Sequence, residues 1–302
     1  MDWLMQCNKC RREAVLFQEY SGQHFCEQHF EADLERKAKH EIRRQRWLAA
    51  GDHIAVALSG DANSSALLYF LKKLTSNRHD VRISAITIDE GITGFRDPGI
   101  ATGIARLSDM ECIKVSFLER FGITLDEIAH QKGITLSCTY CRVLRNFLLN
   151  GIAIEHGVTK LALGDDLDDG AASVMKNILQ GNPEILARSE RTGKGKIPRI
   201  RPFISIPHKE VALYADFHAR GYDQSRCPYN NEPFEKDVRG LLNDFTTRHH
   251  STRYALMGLK KNLNNTCCTN ADLVPYCERC GEPTNGICRS CRIISEVTTH
   301  GA

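Results

Sequence analysis

No stretch of this 302-residue sequence approaches the roughly 18 consecutive apolar residues of a membrane-spanning helix, so no such helix is expected. Net charge is also scarce, with 40 Lys+Arg against 37 Asp+Glu leaving +3, which admits a nucleic-acid partner without requiring one. Met1 to Cys10 lacks the basic-then-apolar order of a signal peptide. Internal repeats and low-complexity segments are absent. Hydrophobic residues at 42% and charged residues at 25% exclude disordered, collagen-like and coiled-coil classes. The expectation is a cytoplasmic protein, with no membrane partner and roughly two domains' worth of chain.

Cysteine, by contrast, is abundant. Thirteen in a reducing compartment point to metal or chemistry rather than disulfides. Chance placement gives roughly 0.6 Cys-x-x-Cys pairs. There are four: Cys7/Cys10, Cys138/Cys141, Cys277/Cys280 and Cys288/Cys291. Cys7 and Cys10 are followed by Cys26 and His29, which completes a tetrahedral N/S set with knuckle-like spacing. That stretch is too small for its own core, so zinc has to supply its folding energy. Cys277, Cys280, Cys288 and Cys291 bracket a short turn from Gly281 to Ile287 and read as a zinc ribbon. Both sets offer four protein ligands, so both zinc ions are read as structural.

Phe30 to Leu48 has no Gly or Pro, and Leu34, Ala38, Ile42, Trp47 and Ala49 form a thin apolar stripe on a helix. Its cations, Arg36, Lys37, Lys39, Arg43, Arg44 and Arg46, suit either a solvated face or a phosphate-backbone contact. From Asp52 the pattern alternates. Strands are expected at 53–58, 81–88, 112–115 and 161–163, and helices at 64–74, 142–156 and 170–179. This is an α/β fold with a doubly wound parallel sheet, and ligands sit at the carboxyl ends of such strands. Ser59-Gly60, Asp89-Glu90 and Gly164-Asp165 should therefore converge on one crevice.

Ile54 to Gly60 runs from a buried strand into a small-residue turn that opens a helix. Its backbone amides, with the hydroxyls of Ser59, Ser64 and Ser65, form an anion cradle. The stretch Ser59-Gly60-Asp61-Ala62-Asn63-Ser64 resembles the Ser-Gly-Gly-x-Asp-Ser loop of ATP-pyrophosphatases that adenylate their substrates. Further stretches resemble the archaeal-type tRNA 2-thiouridine synthetase family. These are Phe25 to Phe30, Ile88 to Ile92, Cys138 to Arg145, Gly164 to Asp169, Pro198 to Pro202 and the terminal ribbon, in the family's order over nearly the whole chain.

The resemblance implies a PP-loop fold of the adenine nucleotide alpha hydrolase type, flanked by N-terminal and C-terminal zinc modules. It divides the chain into a zinc finger (1–30), a basic linker helix (31–50), a PP-loop catalytic domain (51–230), a helical connector (231–270) and a zinc ribbon (271–302). The implied activity is 2-thiolation of a tRNA uridine, using ATP and Mg²⁺ for adenylation. Sulfur would come from sulfide or a ubiquitin-like carrier, and a homodimer is compatible with the family. Ser59, Gly60, Asn63, Ser64, Arg145 and Gly164 match nucleotide-contacting positions, and Ala57 and Ile88 would flank the adenosine.

Departures cluster at the loop. The family's second glycine is Asp61, its usual lysine is Ala62 and its aspartate is Asn63. Its His-Asn pair is Asp165-Asp166, and a later glutamate is Gly170. Added carboxylates beside a polyphosphate are unfavourable. The alternative is therefore a degenerate paralogue that binds tRNA without adenylating it.

Cys227 matches the family's third cysteine and would join Cys138 and Cys141. Three thiolates suit a [4Fe-4S] cluster with one iron open for sulfide. A third zinc, or a persulfide-carrying Cys138/Cys141 pair, remains open. Asp168 and Asp169 are candidates to steer Mg²⁺ or protons, with Asp169 preferred and a helix N-cap as the bland alternative. Cys112, Cys267 and Cys268 match nothing and are read as structural. Arg188, Arg191, Lys194, Lys196, Arg199 and Arg201 crowd one stretch, read as a phosphate-binding loop for tRNA against a default of a solvated loop.

Overall fold

The computed structural model describes residues 5–182, 185–186, 196–219, 221–230, 232–266, 277–280, 284 and 286–298. Arg188, Arg191, Lys194, Cys267 and Cys268 lie outside the described residues. At the N-terminus, β1 (Leu16–Gln18) and β2 (Gln23–Phe25) form an antiparallel hairpin in which Leu16 faces Phe25. Cys26 is the N-cap of α1 (Glu27–Gln45), so Cys26 and His29 leave the hairpin on adjoining positions of one helical turn. The apolar stripe of α1 recurs every fourth residue. Phe30, Leu34, Ala38 and Ile42 are 0–6% exposed, placing this helix in the main core. Its cations are largely spoken for: Arg36 and Lys37 pair with Asp33, Lys39 with Glu35, and Arg44 with Glu41.

Five parallel strands follow: β3 (His53–Ala57), β4 (Arg82–Asp89), β5 (Cys112–Ser116), β6 (Lys160–Ala162) and β7 (Arg199–Ile200). They pair in the order β5-β4-β3-β6-β7. The first three strands step outward, and the chain then returns to place β6 on the other side of β3. The topological switch point therefore lies between the carboxyl ends of β3 and β6, where open α/β sheets bind ligands.

Residues of β3 alternate between the two cores, with Ile54 and Val56 on one face and Ala55 on the other. The first face is covered by α1, α2 (Ala62–Thr75), α3 (Pro98–Leu107) and α8 (His208–His218). Against the second lie the short α4 (Phe117–Phe121), α5 (Leu125–Lys132), and α6 (Ile134–Glu155). Beyond β6, α7 (Leu167–Leu179) packs on α9 (Pro233–Thr246) and α10 (Thr252–Thr266). The last helix, α11 (Arg289–Thr298), lays Ile293 and Val297 into the second core beside α6, and Tyr140 Oη donates to Glu296 at 2.8 Å.

The expected strands and helices are found within a few residues, with one informative difference. Helix α6 begins at Ile134, eight residues before the expected start at Arg142, so both Cys138 and Cys141 sit inside it. Thr135, Ser137 and Cys138 are weak helix formers, which hid the first two turns; burial of Ser137, Tyr140 and Cys141 decides the matter.

A buried polar knot fastens the N-terminal hairpin to the sheet domain. Glu210 of α8 is fully buried and accepts from Tyr20 Oη at 2.8 Å and from Gln18 Nε2 at 3.2 Å, and it pairs with Lys37 at 3.2 Å. Removing one member of a buried, hydrogen-bonded charge pair leaves the others desolvated. Glu210→Ala should lower unfolding free energy by about 3 kcal/mol in urea titrations. Glu210→Gln, which keeps an acceptor, should cost less.

Candidate functional site

Two groups of ligand atoms among the described residues lie within 4.8 Å of one another: Cys7, Cys10, Cys26 and His29, and Cys277, Cys280, Cys288 and Cys291. In the first, His29 Nδ1 is 3.3 Å from the sulfurs of both Cys7 and Cys26, and the sulfurs of Cys10 and Cys26 are 3.6 Å apart. Tetrahedral zinc, with metal–sulfur bonds of about 2.3 Å, spaces its sulfurs about 3.8 Å apart. In the second, Cys280 and Cys288 sulfurs are 3.5 Å apart, and the Cys288 amide donates to Cys277 Sγ at 3.3 Å. That amide helps to hold the Cys277 thiol down to about 6. Both sets have the donors and spacing of a four-coordinate metal site.

At the switch point, β3 runs into a loop whose tightest residue is Gly60, with φ +82°. Asp61 is the N-cap of α2: its Oδ1 accepts from the Ser64 amide at 2.8 Å, and its Oδ2 lies 2.7 Å from Ser59 Oγ. Asn63 turns the other way. Its Nδ2 donates to Gly164 O at 3.1 Å and to Asp166 Oδ2 at 2.8 Å. In the family pattern the carboxylate stands at position 63 and an asparagine at 166. Here the two residue types are exchanged, and Asn63 and Asp166 are hydrogen-bonded to each other. Asn63 Oδ1 is buried without a partner, an orphaned acceptor beside the loop.

Of the three cysteines of interest, Cys227 lines the cavity beside the phosphate loop, and Cys138 and Cys141 lie on α6 in contact with its surroundings. Cys138 and Cys141 are one turn apart on α6, and Cys227 packs against the core cluster that contains Cys141. Cys138 Sγ donates to Tyr229 O at 2.9 Å, two residues beyond Cys227. The segment bearing Cys227 is fastened to the phosphate loop, because the Asp223 amide donates to Gly60 O at 2.7 Å. A cavity of about 260 Å³ has Ser59 and Asp61 on one wall and Cys227 on the other. It adjoins a larger space of about 600 Å³ under the loop from Gly91 to Pro98. The three sulfurs do not form a group within 4.8 Å, as ligands of one ion would. A cubane cluster binds each thiolate through a different iron and so spaces them further apart. Three thiolates are a donor set that suits an iron–sulfur cluster.

Arg145 is half-buried on α6, one turn after Cys141. Its Nη2 is 3.1 Å from Cys141 Sγ and 2.5 Å from Glu90 Oε1. Burial pushes the Cys141 thiol up to about 11, with Arg145 pulling the other way. Glu90, 3% exposed at the end of β4, also takes Arg96 at 3.5 Å. Arg96 holds a left-handed backbone, φ +50°, and reaches to 4.0 Å from Asp61. Ala57 and Ile88 stand half-buried at the ends of β3 and β4. Cys112 lies on β5, where burial raises its thiol to about 11.

The carboxylates after β6 are each engaged. Asp165 pairs with Arg201 at 2.6 Å, which offsets one of the charges added beside the crevice. Asp166 is the N-cap of α7 in a reciprocal capping box with Asp169, and also accepts from His208 Nδ1 at 2.8 Å. Asp168 pairs with Arg253 at 2.9 Å and accepts from the His208 amide; Asp169 pairs with Arg239 at 3.0 Å. Asp168 and Asp169 thus join α7 to α8, α9 and α10, one residue layer behind the phosphate loop. Glu90, Arg96 and Asp223 went unnoticed as individual site residues in the sequence. Apart from the Glu90–Arg96 pair itself, their partners are distant in the chain, and only the motif containing Glu90 offered a signal.

Burial against Asp166 raises the Asp169 carboxyl to about 6, while Asp166 is itself held low by His208, the Asp169 amide and Asn63 despite its burial. An acid whose folded pKa exceeds its unfolded 3.8 binds extra proton when folded, so stability falls as pH rises through that window. Asp169→Asn should remove this slope. Urea titrations of the two proteins at pH 4.5, 5.5 and 7 should show a wild-type deficit that grows with pH.

Comparison with known proteins agrees with this geometry. Residues 6–31 match the family described as 2-thiouridine synthetase TtuA, N-terminal LIM domain, and residues 29–232 match the PP-loop domain. The tRNA 2-thiolation protein NcsA of Haloferax volcanii is 31% identical over 97% of this chain and 99% of its own. Cytoplasmic tRNA 2-thiolation protein 1 of Drosophila grimshawi is 31% identical over 95% of this chain and 86% of its own. The U34-tRNA thiolase NcsA from Methanococcus maripaludis, solved with its [4Fe-4S] cluster, superposes with a TM-score of 0.84 at 28% identity, covering 98% of this chain and 97% of that one. The chain belongs to the PP-loop family of tRNA 2-thiolation proteins.

Proposed function

We propose that this protein is a tRNA-uridine 2-sulfurtransferase. A uridine carbonyl oxygen is not displaced by sulfide unaided; adenylyl transfer from ATP makes it a phosphate-type leaving group, releasing pyrophosphate and later AMP. The Ser59 hydroxyl and the amides opening α2 are the donors a departing pyrophosphate would use, at the positive end of a 14-residue helix. Ala57 and Ile88 line the strand ends where the nucleoside would lie, and Mg²⁺ would neutralise phosphate charge. Cys138, Cys141 and Cys227 would hold a [4Fe-4S] cluster, which supplies an iron without a protein ligand for carrying sulfide. Arg145, anchored by Glu90, orients Cys141 and favours its thiolate form.

The observation that carries this reading is the backbone bond from Asp223 to Gly60. It ties the strand of chain bearing Cys227 to the phosphate loop, so the adenylating and sulfur-carrying ends share one cavity. Arg199 opens β7, with Lys196 and Arg201 close by in the chain, and these cations suit tRNA phosphates. The two four-ligand modules would each hold a structural Zn²⁺ and grip tRNA by shape and backbone. Sulfur would arrive as sulfide or on a ubiquitin-like carrier.

Anaerobically reconstituted protein, given ATP, Mg²⁺, sulfide and unmodified tRNA, should yield 2-thiouridine and AMP in nucleoside analysis. Cys227→Ala should form no thiouridine and lose the brown cluster absorption. AMP without thiouridine in the wild type would reject the sulfur-transfer reading. Chelation should be separable: stripping two metals per chain should open the N-terminal hairpin to proteolysis near Cys26, while leaving the central sheet folded by circular dichroism.

A further inference from the structure

The phosphate loop carries its own anion. Helix N-termini attract negative groups because their first amides lack partners. In this loop the two strongest donors facing the cavity are already taken by Asp61: the Ser64 amide by Oδ1 at 2.8 Å, and the Ser59 hydroxyl by Oδ2 at 2.7 Å. These are the donors a pyrophosphate group would use. The carboxylate is 44% exposed, so it stands at the mouth of the loop on the wall of the 260 Å³ cavity. Arg96 faces it at 4.0 Å, held from behind by Glu90 at 3.5 Å. No cation of the loop itself balances the site, since position 62 is alanine.

We infer that Asp61 is an internal substitute for phosphate, competing with the polyphosphate of the nucleotide for the loop and so setting its affinity, while Arg96 pairs with whichever anion is seated. This rests on the reading of the loop as the ATP site and adds the residues that govern occupancy. To admit polyphosphate, the Asp61 side chain rotates away from Ser59 and Ser64, and α2 exchanges one capping anion for another. The backbone of Asp61 permits this, because its φ of −82° and ψ of 174° are ordinary extended values that do not depend on the cap.

The test is calorimetric binding of inorganic pyrophosphate and of ATP, with and without Mg²⁺, at fixed ionic strength. Wild type is compared with Asp61→Gly, Asp61→Asn, and Asp61→Gly combined with Arg96→Gln. Asp61→Gly should bind pyrophosphate at least tenfold tighter than wild type. Asp61→Asn, which keeps a capping oxygen but not the charge, should fall between them. Adding Arg96→Gln should return most of the gain. Unchanged affinity in Asp61→Gly, with measurable binding by the wild type, would overturn the inference alone. So would a loss of affinity confined to Mg²⁺-containing samples, since the carboxylate would then be a metal ligand. Absence of binding by every variant, each folded by circular dichroism, would sink the ATP-site reading together with the inference.

Discussion

Two strand ends can meet at this crevice only because residue 164 has no side chain. A Cβ there would stand 3.0 Å from the Asn63 carbonyl carbon and 3.0 Å from the Ser64 nitrogen, backbone atoms that cannot yield without moving α2. With glycine in place, the end of β6 closes directly on the opening turn of α2. Asn63 can then reach across to Gly164 and Asp166, and Asp166 in turn caps α7. The phosphate loop, the second strand end and the helix behind it are thereby one hydrogen-bonded unit. The segment bearing Cys227 joins the same unit through Gly60.

Charge around that unit is redistributed rather than simply increased. The exchange of carboxylate and amide between positions 63 and 166 leaves the number of negative groups in the pair unchanged. Asp165 is matched by Arg201, and Asp166 by His208. Arg96 supplies a guanidinium near the loop in the absence of a lysine at 62. What stays in excess at the mouth is Asp61, the added carboxylate that lines the cavity beside Ser59.

Much of this was legible beforehand because it rests on local rules. The strand from His53 is an unbroken apolar run, as a strand buried on both faces must be, and its small-residue turn marks the ligand end. The metal sets were visible in the spacing of Cys7, Cys10, Cys26 and His29, since ligand geometry constrains sequence directly. Strand β7 escaped notice because two residues carry no periodicity, and α8 because its apolar residues Val211, Tyr214 and Ala215 are interleaved with buried Glu210. Glu90 and Arg96 are only six residues apart, but Glu90 also meets Arg145, Arg96 faces Asp61, and Asp223 bonds Gly60, all tens of residues or more away. No short window along the chain contains those partners.

The docking of α11 onto α6 links the two ends of the chain's cysteine chemistry. Cys288 and Cys291 lie at the start of α11, while Tyr140, which holds Glu296, sits between Cys138 and Cys141. The same short helix carries Ile293 and Val297 into the core cluster shared with α6. The arrangement of the ribbon's ligands and the packing of the cysteine-bearing helix are therefore coupled through one ten-residue element.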